Sequence, residues 1–455
     1  MDNPVQLLAR LDTDPRVAKL KSIFPPHSSL ALIGGTVRDA LLGRAHEDLD
    51  FASALTPHET MTLLAQHGVR TIPTGLKHQT ITVLPIDGLP HVEITTFRGP
   101  NLQAAGGQSF SKTIEEDVQF RDFTLNALAY LVSERKFVDK VGGLEDITTG
   151  TIRAVGHAGD RFAEDPLRVL RMVRFACVFS FRIEGKTFAA APKFAPQLEH
   201  VSVERIREEY NKILISEKPD WGTLTLIELG AFAHIIPEVL SFVNFEQNSF
   251  HTADLLTHTL EVVRKTSPDL ILRLAALLHD VGKPQTLSID EETQERHFYL
   301  HEVTGAEMSE RILRRLRYSN EIIDAVVTLV RTHMRPLESG PGGLRRLLRD
   351  TGEHYQLWRE LKEADASSCK LDPATLEQRL TDFDRQMAEV KLGPKLSPLS
   401  SLAIKGTDLL ALGMAEGPRI GEILRALHER VLDQPELNER ETLLKLASEL
   451  GDPSA

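Results

Sequence analysis

Two groups of residues in this sequence have the types and spacing that chemistry on phosphates needs. The first starts at Gly34-Gly35, between the strand-like run SLALI and the helix-like run TVRDALLG. Main-chain amides at such a turn, aimed by a helix N-terminus, can cradle a phosphate. Asp48 and Asp50 follow, one residue apart, and on a strand such residues project to the same side. Two like charges so close are unfavourable unless a cation lies between them. Hard carboxylate oxygens suit Mg²⁺, which shares its shell with substrate phosphates. Ions held there can activate an attacking hydroxyl and neutralise a leaving pyrophosphate. Glu93, in HVEITTF, faces away from Val92 and Ile94 and is a third candidate acid.

The second group is rich in histidine: His258, the adjacent pair His279-Asp280 at the end of the apolar run LRLAALL, then His301, His333 and Asp365. Burying a His-Asp pair is costly without a partner, and imidazoles with carboxylates suit a divalent transition ion such as Mn, Fe, Ni, Co or Zn. His251 and His258 are seven residues apart and share a helix face, so either can be the first ligand. Lys283, after a glycine turn, is a candidate phosphate contact.

The elements that must position these residues read as α+β. Residues 1–27 read as a short helix ending at Pro25-Pro26. Residues 28–150 mix strands and helices, with HEDLDFAS, TITVLPI and HVEITTF as further strands and RDFTLNALAYLV as a helix. A Gly/Ser/Asn-rich loop spans 99–112. From 151 the pattern turns helical: a neck to 245, a histidine-rich block over 246–370, then a linker at 385–400 and a helical tail within 371–455.

Composition narrows the class. The chain has 455 residues, 41% hydrophobic and 26% charged, which fits an ordinary globular protein of several domains. No apolar run reaches the roughly 18–20 residues of a membrane span, and the start shows no leader pattern. Two cysteines, Cys177 and Cys369, argue against disulfides and read as buried small hydrophobes; a reducing cytoplasm is expected. The net charge of −12 argues mildly against nucleic-acid binding, yet phosphate contacts depend on local charge. Arginines do cluster, at 311, 314, 315 and 317 and at 345, 346 and 349, though such runs are more often solvated helix faces.

The stretch GGTVRDALLGRAHEDLDFA resembles the head of class II tRNA nucleotidyltransferases, the CCA-adding enzymes, and of the related bacterial poly(A) polymerases. Arg121-Asp122 with FTLNAL resembles that family's ribose-contacting Arg-Arg-Asp motif, with Phe120 where the first arginine would stand. Asp139 with VGGLEDI resembles its hinge motif. Glu164-Asp165-Pro166-Leu167-Arg168 resembles the Glu-Asp-x-x-Arg motif whose Asp and Arg pair with the base of CTP or ATP. An Asp and an Arg at i and i+3 of one helix can complement a Watson–Crick edge. VSVERIREEYNKIL and the LAIKGTDLLALG tail also follow the family order. The resemblance implies a polymerase-β-like nucleotidyltransferase head followed by helical domains. It implies Asp48, Asp50 and Glu93 as catalytic acids with Mg²⁺. It implies Gly34, Gly35, Arg38, Arg121, Asp122, Asn126, Asp165, Arg168 and Arg171 as nucleotide contacts. The partners it implies are the tRNA 3′ end, CTP and ATP, with neither DNA nor membrane.

LLHDVGK resembles the core of HD phosphohydrolases, which implies His258, His279, Asp280 and Asp365 as metal ligands and His301 and His333 as ligands of a second ion. The same head motifs serve enzymes that add only CC, only A, or a poly(A) tail, and the 99–112 loop is where that choice is expected to lie. Regulatory enzymes also join a nucleotidyltransferase fold to an HD domain, but lack Glu-Asp-x-x-Arg after the head. A non-catalytic tRNA-binding protein is disfavoured by the intact Asp48/Asp50 pair.

Overall fold

The computed structural model describes residues 4–45, 48–75, 79–85, 88–99, 110–247, 253–393 and 399–451. The chain forms two compact units, 1–213 with 224–234, and 214–223 with 235–455.

In the first unit, seven short strands form one mixed sheet: β1 (Ala31–Ile33), β2 (Asp50–Ser53), β3 (Thr71–Gly75), β4 (Thr80–Val83), β5 (Val92–Thr96), β6 (Leu128–Leu131) and β7 (Lys136–Asp139). Their order is β3-β4-β5-β2-β1-β6-β7. β2 and β5 run parallel, while the other pairs are antiparallel. One core packs Ala31, Ile33, Ala52, Ala129, Leu131 and Val138 against Phe97, Ile114 and Val118. β6 falls where the sequence pattern suggests a helix. Residues 124–126 form one 3₁₀ turn and Leu128–Leu131 is a strand buried at every position. A short, continuously apolar run is compatible with either element, and here its place between β1 and β7 decides.

The N-terminal segment is two helices, Pro4–Leu8 and Pro15–Ile23, joined by a 3₁₀ turn. Asp14 ends that turn and caps the second helix through the amide of Arg16, with Pro15 in its first turn. From 151 onward helices dominate, as expected, with two small ladders between them. Thr151–Ile152 pairs parallel with Arg182–Ile183, and Leu287–Ile289 pairs antiparallel with Arg296–Phe298. The first half of the segment expected as a linker, 385–392, belongs to the continuous helix Pro373–Leu392; residues 394–398 lie outside the described residues. The tail closes its own core of Leu409, Ile423, Leu427, Val431 and Leu443.

The arginine clusters are largely taken up internally. Arg315 pairs with Glu238, Arg314 with Glu310, Arg346 with Glu429 and Asp433, and Arg349 with Glu429 and Asp350. No helix among the described residues is long and apolar enough to cross a membrane.

Candidate active site and metal centre

β1 delivers the chain directly into the helix Gly34–Leu41. Gly34 has φ +58°, a left-handed conformation that strains any residue with a Cβ. A Cβ on Gly35 would lie 3.6 Å from Oδ2 of Asp50, so the glycine turn and the acid are neighbours. Thr36 ties them together: its hydroxyl accepts from the Asp50 amide at 2.8 Å and lies 3.4 Å from the Asp48 carbonyl oxygen. On the parallel β2–β5 pair, Asp50 stands opposite Glu93. Leu49 is buried between exposed Asp48 and half-buried Asp50, which is the alternation expected of an extended chain. Burial pushes the Asp50 carboxyl up, and the charges of Glu93 and Asp48 add to that, opposed by Arg121 and Arg38. Asp50, with Asp48 two residues before it and Glu93 opposite it, has the donor set of a divalent-cation site.

A polar chain runs from this turn into the neck. Arg38 forks onto Asp39, donates at 2.6 Å to Oδ1 of Asn126, and lies over the Phe179 ring at 4.6 Å. Asn126 donates to Asp122 at 3.2 Å, and Arg171 donates twice to Asp122. Burial would raise the Asp122 carboxyl, but the Arg171 guanidinium holds it well below the usual carboxylate range. Arg121 is clamped by Asp117, at 2.7 Å.

Asp165 and Arg168 do not share a helix. Asp165 is extended (φ −152°), between the helices Ala158–Glu164 and Arg168–Phe179. Arg168 pairs with Glu164 at 2.6 Å, and Asp165 pairs with Arg205 at 2.7 Å. Pro166 accounts for the break, since the residue before a proline is driven out of the helical region. The two remain at neighbouring helix ends, each held by a separate ion pair. Residues 100–109, most of the expected specificity loop, lie outside the described residues.

The second unit assembles the histidines. His258 comes from the helix Leu255–Lys265, and His279 ends the helix Leu270–Leu278. His301 opens the helix His301–Arg315, His333 ends Asn320–Thr332, and Asp365 lies in Tyr355–Ala366. Glycine permits the close approach: a Cβ on Gly282 would overlap the main-chain oxygen of His301. Oδ2 of Asp280 is 3.2 Å from Nε2 of His279 and 3.7 Å from that of His258, whose Nε2 is 3.3 Å from Asp365. Oδ1 of Asp280 is 3.3 Å from Nε2 of His301 and 3.7 Å from that of His333.

His279, His301 and His333 each donate Nδ1–H at 2.7 Å to a main-chain carbonyl, of Ala276, Phe298 and Val330. Their Nε2 atoms therefore carry the lone pairs in the neutral rings, and those of His301 and His333 meet at 3.3 Å. Neutral imidazoles so aimed need a cation between them. Burial disfavours a charged His279, but Asp280 and Asp365 outweigh it and raise its pKa. The donor set fits two divalent ions sharing Asp280. Lys283 reaches Asp280 at 2.7 Å. His251 lies outside the described residues. Cys369, expected as a buried apolar filler, is only half-buried, and its sulfur groups with His258 and Asp365.

The chain matches three family models: "Poly A polymerase head domain" over 30–153, "Probable RNA and SrmB- binding site of polymerase A" over 180–242, and "HD domain" over 248–368. It is 32% identical to the A-adding tRNA nucleotidyltransferase of Deinococcus radiodurans, over 89% of this chain and 92% of that one. It is also 32% identical to the CCA-adding enzyme of Enterococcus faecalis, over 91% and 90%. The chain belongs to the tRNA nucleotidyltransferase family. Among solved relatives, the Bacillus stearothermophilus CCA-adding enzyme, in a complex with CTP, superposes with a TM-score of 0.70 at 26% identity, covering 99% of this chain and 98% of that one. Nucleotidyltransferase and HD domains both imply the use of divalent metal ions.

In this tRNA nucleotidyltransferase several site-building residues escape a sequence reading. Asp117 is fully buried, binds Arg121 and accepts the Arg98 amide; its IEED context looks like any exposed acidic turn. Thr36 gains its role only from contacts across the fold. Asp139 was readable within its motif, and its carboxylate accepts four consecutive amides, Val141 to Leu144, so that the next helix starts there.

Proposed function

We propose that the chain completes the 3′ end of tRNA, adding C, C and A from CTP and ATP. The observation that carries this reading is the pairing of Asp50 with Glu93 across β2–β5, beside Asp48 and the Gly34-Gly35 turn. The terminal ribose hydroxyl of tRNA attacks the α-phosphorus, a phosphodiester forms, and pyrophosphate leaves. Mg²⁺ bound by the carboxylates supplies charge neutralisation and hydroxyl activation. The glycine turn and Arg38 hold the triphosphate, Arg121 and Asp122 with Asn126 hold the ribose, and Asp165 and Arg168 read the base, with Arg171 fixing Asp122. The working parts are 28–150 as head, 151–245 as neck, 246–370 as HD domain and 371–455 as linker and RNA-contacting tail, preceded by the 1–27 helices. The setting is the cytoplasm, and DNA is not a substrate.

His258, His279, Asp280 and Asp365 hold one divalent transition ion, and Asp280, His301 and His333 a second, for hydrolysis of a phosphate ester. The relatives favour one alternative for the head, addition of A only: an A-adding tRNA nucleotidyltransferase stands at the same 32% identity as a CCA-adding enzyme. Product length decides. Transcripts ending before CCA, after C and after CC are offered Mg²⁺ with CTP and ATP, singly and together. Growth of all three to CCA and no further is expected. Extension of the CC transcript alone, by one A, would establish the A-only reading, and no extension would overturn both.

A further inference from the structure

The sequence has two cysteines, and one of them stands at the HD centre. Cys369 lies in the bend just past the end of the helix Tyr355–Ala366, which carries Asp365. Its Sγ lies 3.5 Å from the Asp365 main-chain oxygen. A ring nitrogen of His258, a carboxylate oxygen of Asp365 and the Cys369 sulfur all lie within 4.8 Å of one another. His258 also belongs to the group His258, His279 and Asp280, so the sulfur adjoins the first metal position. We propose that Cys369 is a thiolate ligand of that ion, giving it two imidazoles, carboxylate oxygen and one sulfur. This rests on the reading of His258, His279, Asp280 and Asp365 as a metal site.

On binding, a metal–sulfur bond forms and the thiol proton passes to solvent. The consequence is selectivity. A thiolate favours Zn²⁺, Co²⁺ or Fe²⁺ over Mg²⁺, so the two centres draw on different metals. A sulfur ligand also makes this ion the one that thiol oxidation would release.

The test uses full-length protein stripped of metal and loaded with Co²⁺, with Asp48→Ala/Asp50→Ala present to keep cobalt off the head. Visible cobalt bands together with a near-ultraviolet sulfur-to-cobalt charge-transfer band are expected. In Cys369→Ser the visible bands persist, the charge-transfer band is lost, and Co²⁺ affinity, by chelator competition, falls about 10- to 100-fold. Cys177→Ser keeps both features. X-ray absorption of the zinc-loaded protein gives a second readout, a sulfur scatterer at about 2.3 Å. Visible bands without charge transfer or a sulfur scatterer would overturn the ligand role of Cys369 and leave the metal site standing. Failure to take up Co²⁺ or Zn²⁺ at all would remove the metal site, and the proposal with it.

Discussion

At the head centre Asp50 sits in an environment that costs stability unless a cation arrives. Its carboxyl is raised by burial, with Glu93 and Asp48 adding to the effect. A carboxyl raised in the folded state favours folding at low pH, and that advantage is lost as pH rises through the folded value. In EDTA at neutral pH the ionised Asp50 therefore works against the fold. Asp50→Asn should raise the melting temperature of the metal-free protein at pH 7, the gain shrinking toward acid pH, while abolishing nucleotide addition. A melting series across pH would show it, and an unchanged or lower melting temperature would refute it. Asp122 has the opposite sign. Held low by Arg171, it stabilises at all pH above the ordinary carboxylate range. Asp122→Ala should cost about 2–3 kcal/mol by denaturant unfolding, because it strands a largely buried arginine. For Arg168, substitution by Ala should relax the choice between CTP and ATP more than it slows turnover. Retained selectivity in single-nucleotide assays would remove it from base reading. The acids and histidines were legible because few structural roles call for such residue types at such spacing. Their holders were not: Thr36 is defined by partners 12 and 14 residues away, and Asp117 by a burial that its acidic context does not announce.

At the scale of elements, backbone contact decides where helices and strands can meet. Gly282 lets the turn after His279-Asp280 touch the start of the His301 helix. Gly282→Ala should force the two apart, cost about 1–3 kcal/mol, and lower bound transition metal in the purified protein. Normal metal content and stability would mean that the turn can relax. Strands whose apolar and polar residues alternate, as in β4 and β5, could be read from periodicity. β6 could not, because a strand buried on both faces looks like a piece of helix. The Asp165 break was announced by Pro166, yet the motif's spacing suggested a continuous helix. In the first unit the outcome still serves the site, since Asp165 and Arg168 are each anchored by a different residue.

For the molecule as a whole, the two centres belong to separate compact units, with Asp50 in the first and Asp280 in the second. They should be separable. Asp48→Ala/Asp50→Ala should reduce nucleotide addition by on the order of a thousandfold and leave hydrolysis of a phosphodiester probe intact, whereas Asp280→Ala should do the reverse. Loss of both activities in either variant, with the fold preserved, would mean that the centres depend on each other. Net charge is a poor guide at this scale. The chain carries −12, yet Arg38, Arg121, Arg168, Arg171 and Arg174 all come from the first unit, and the arginine runs of the second are largely spent on internal pairs.

Asp280 turns one oxygen toward His258 and His279 and the other toward His301 and His333. Were both positions to hold an ion, a ligand shared in this way would link the two occupancies: filling either would alter the affinity of the other by the same factor, whichever filled first. Such a pair would not sum two independent saturation curves, and a shortage of metal would act on the pair rather than empty each position in proportion.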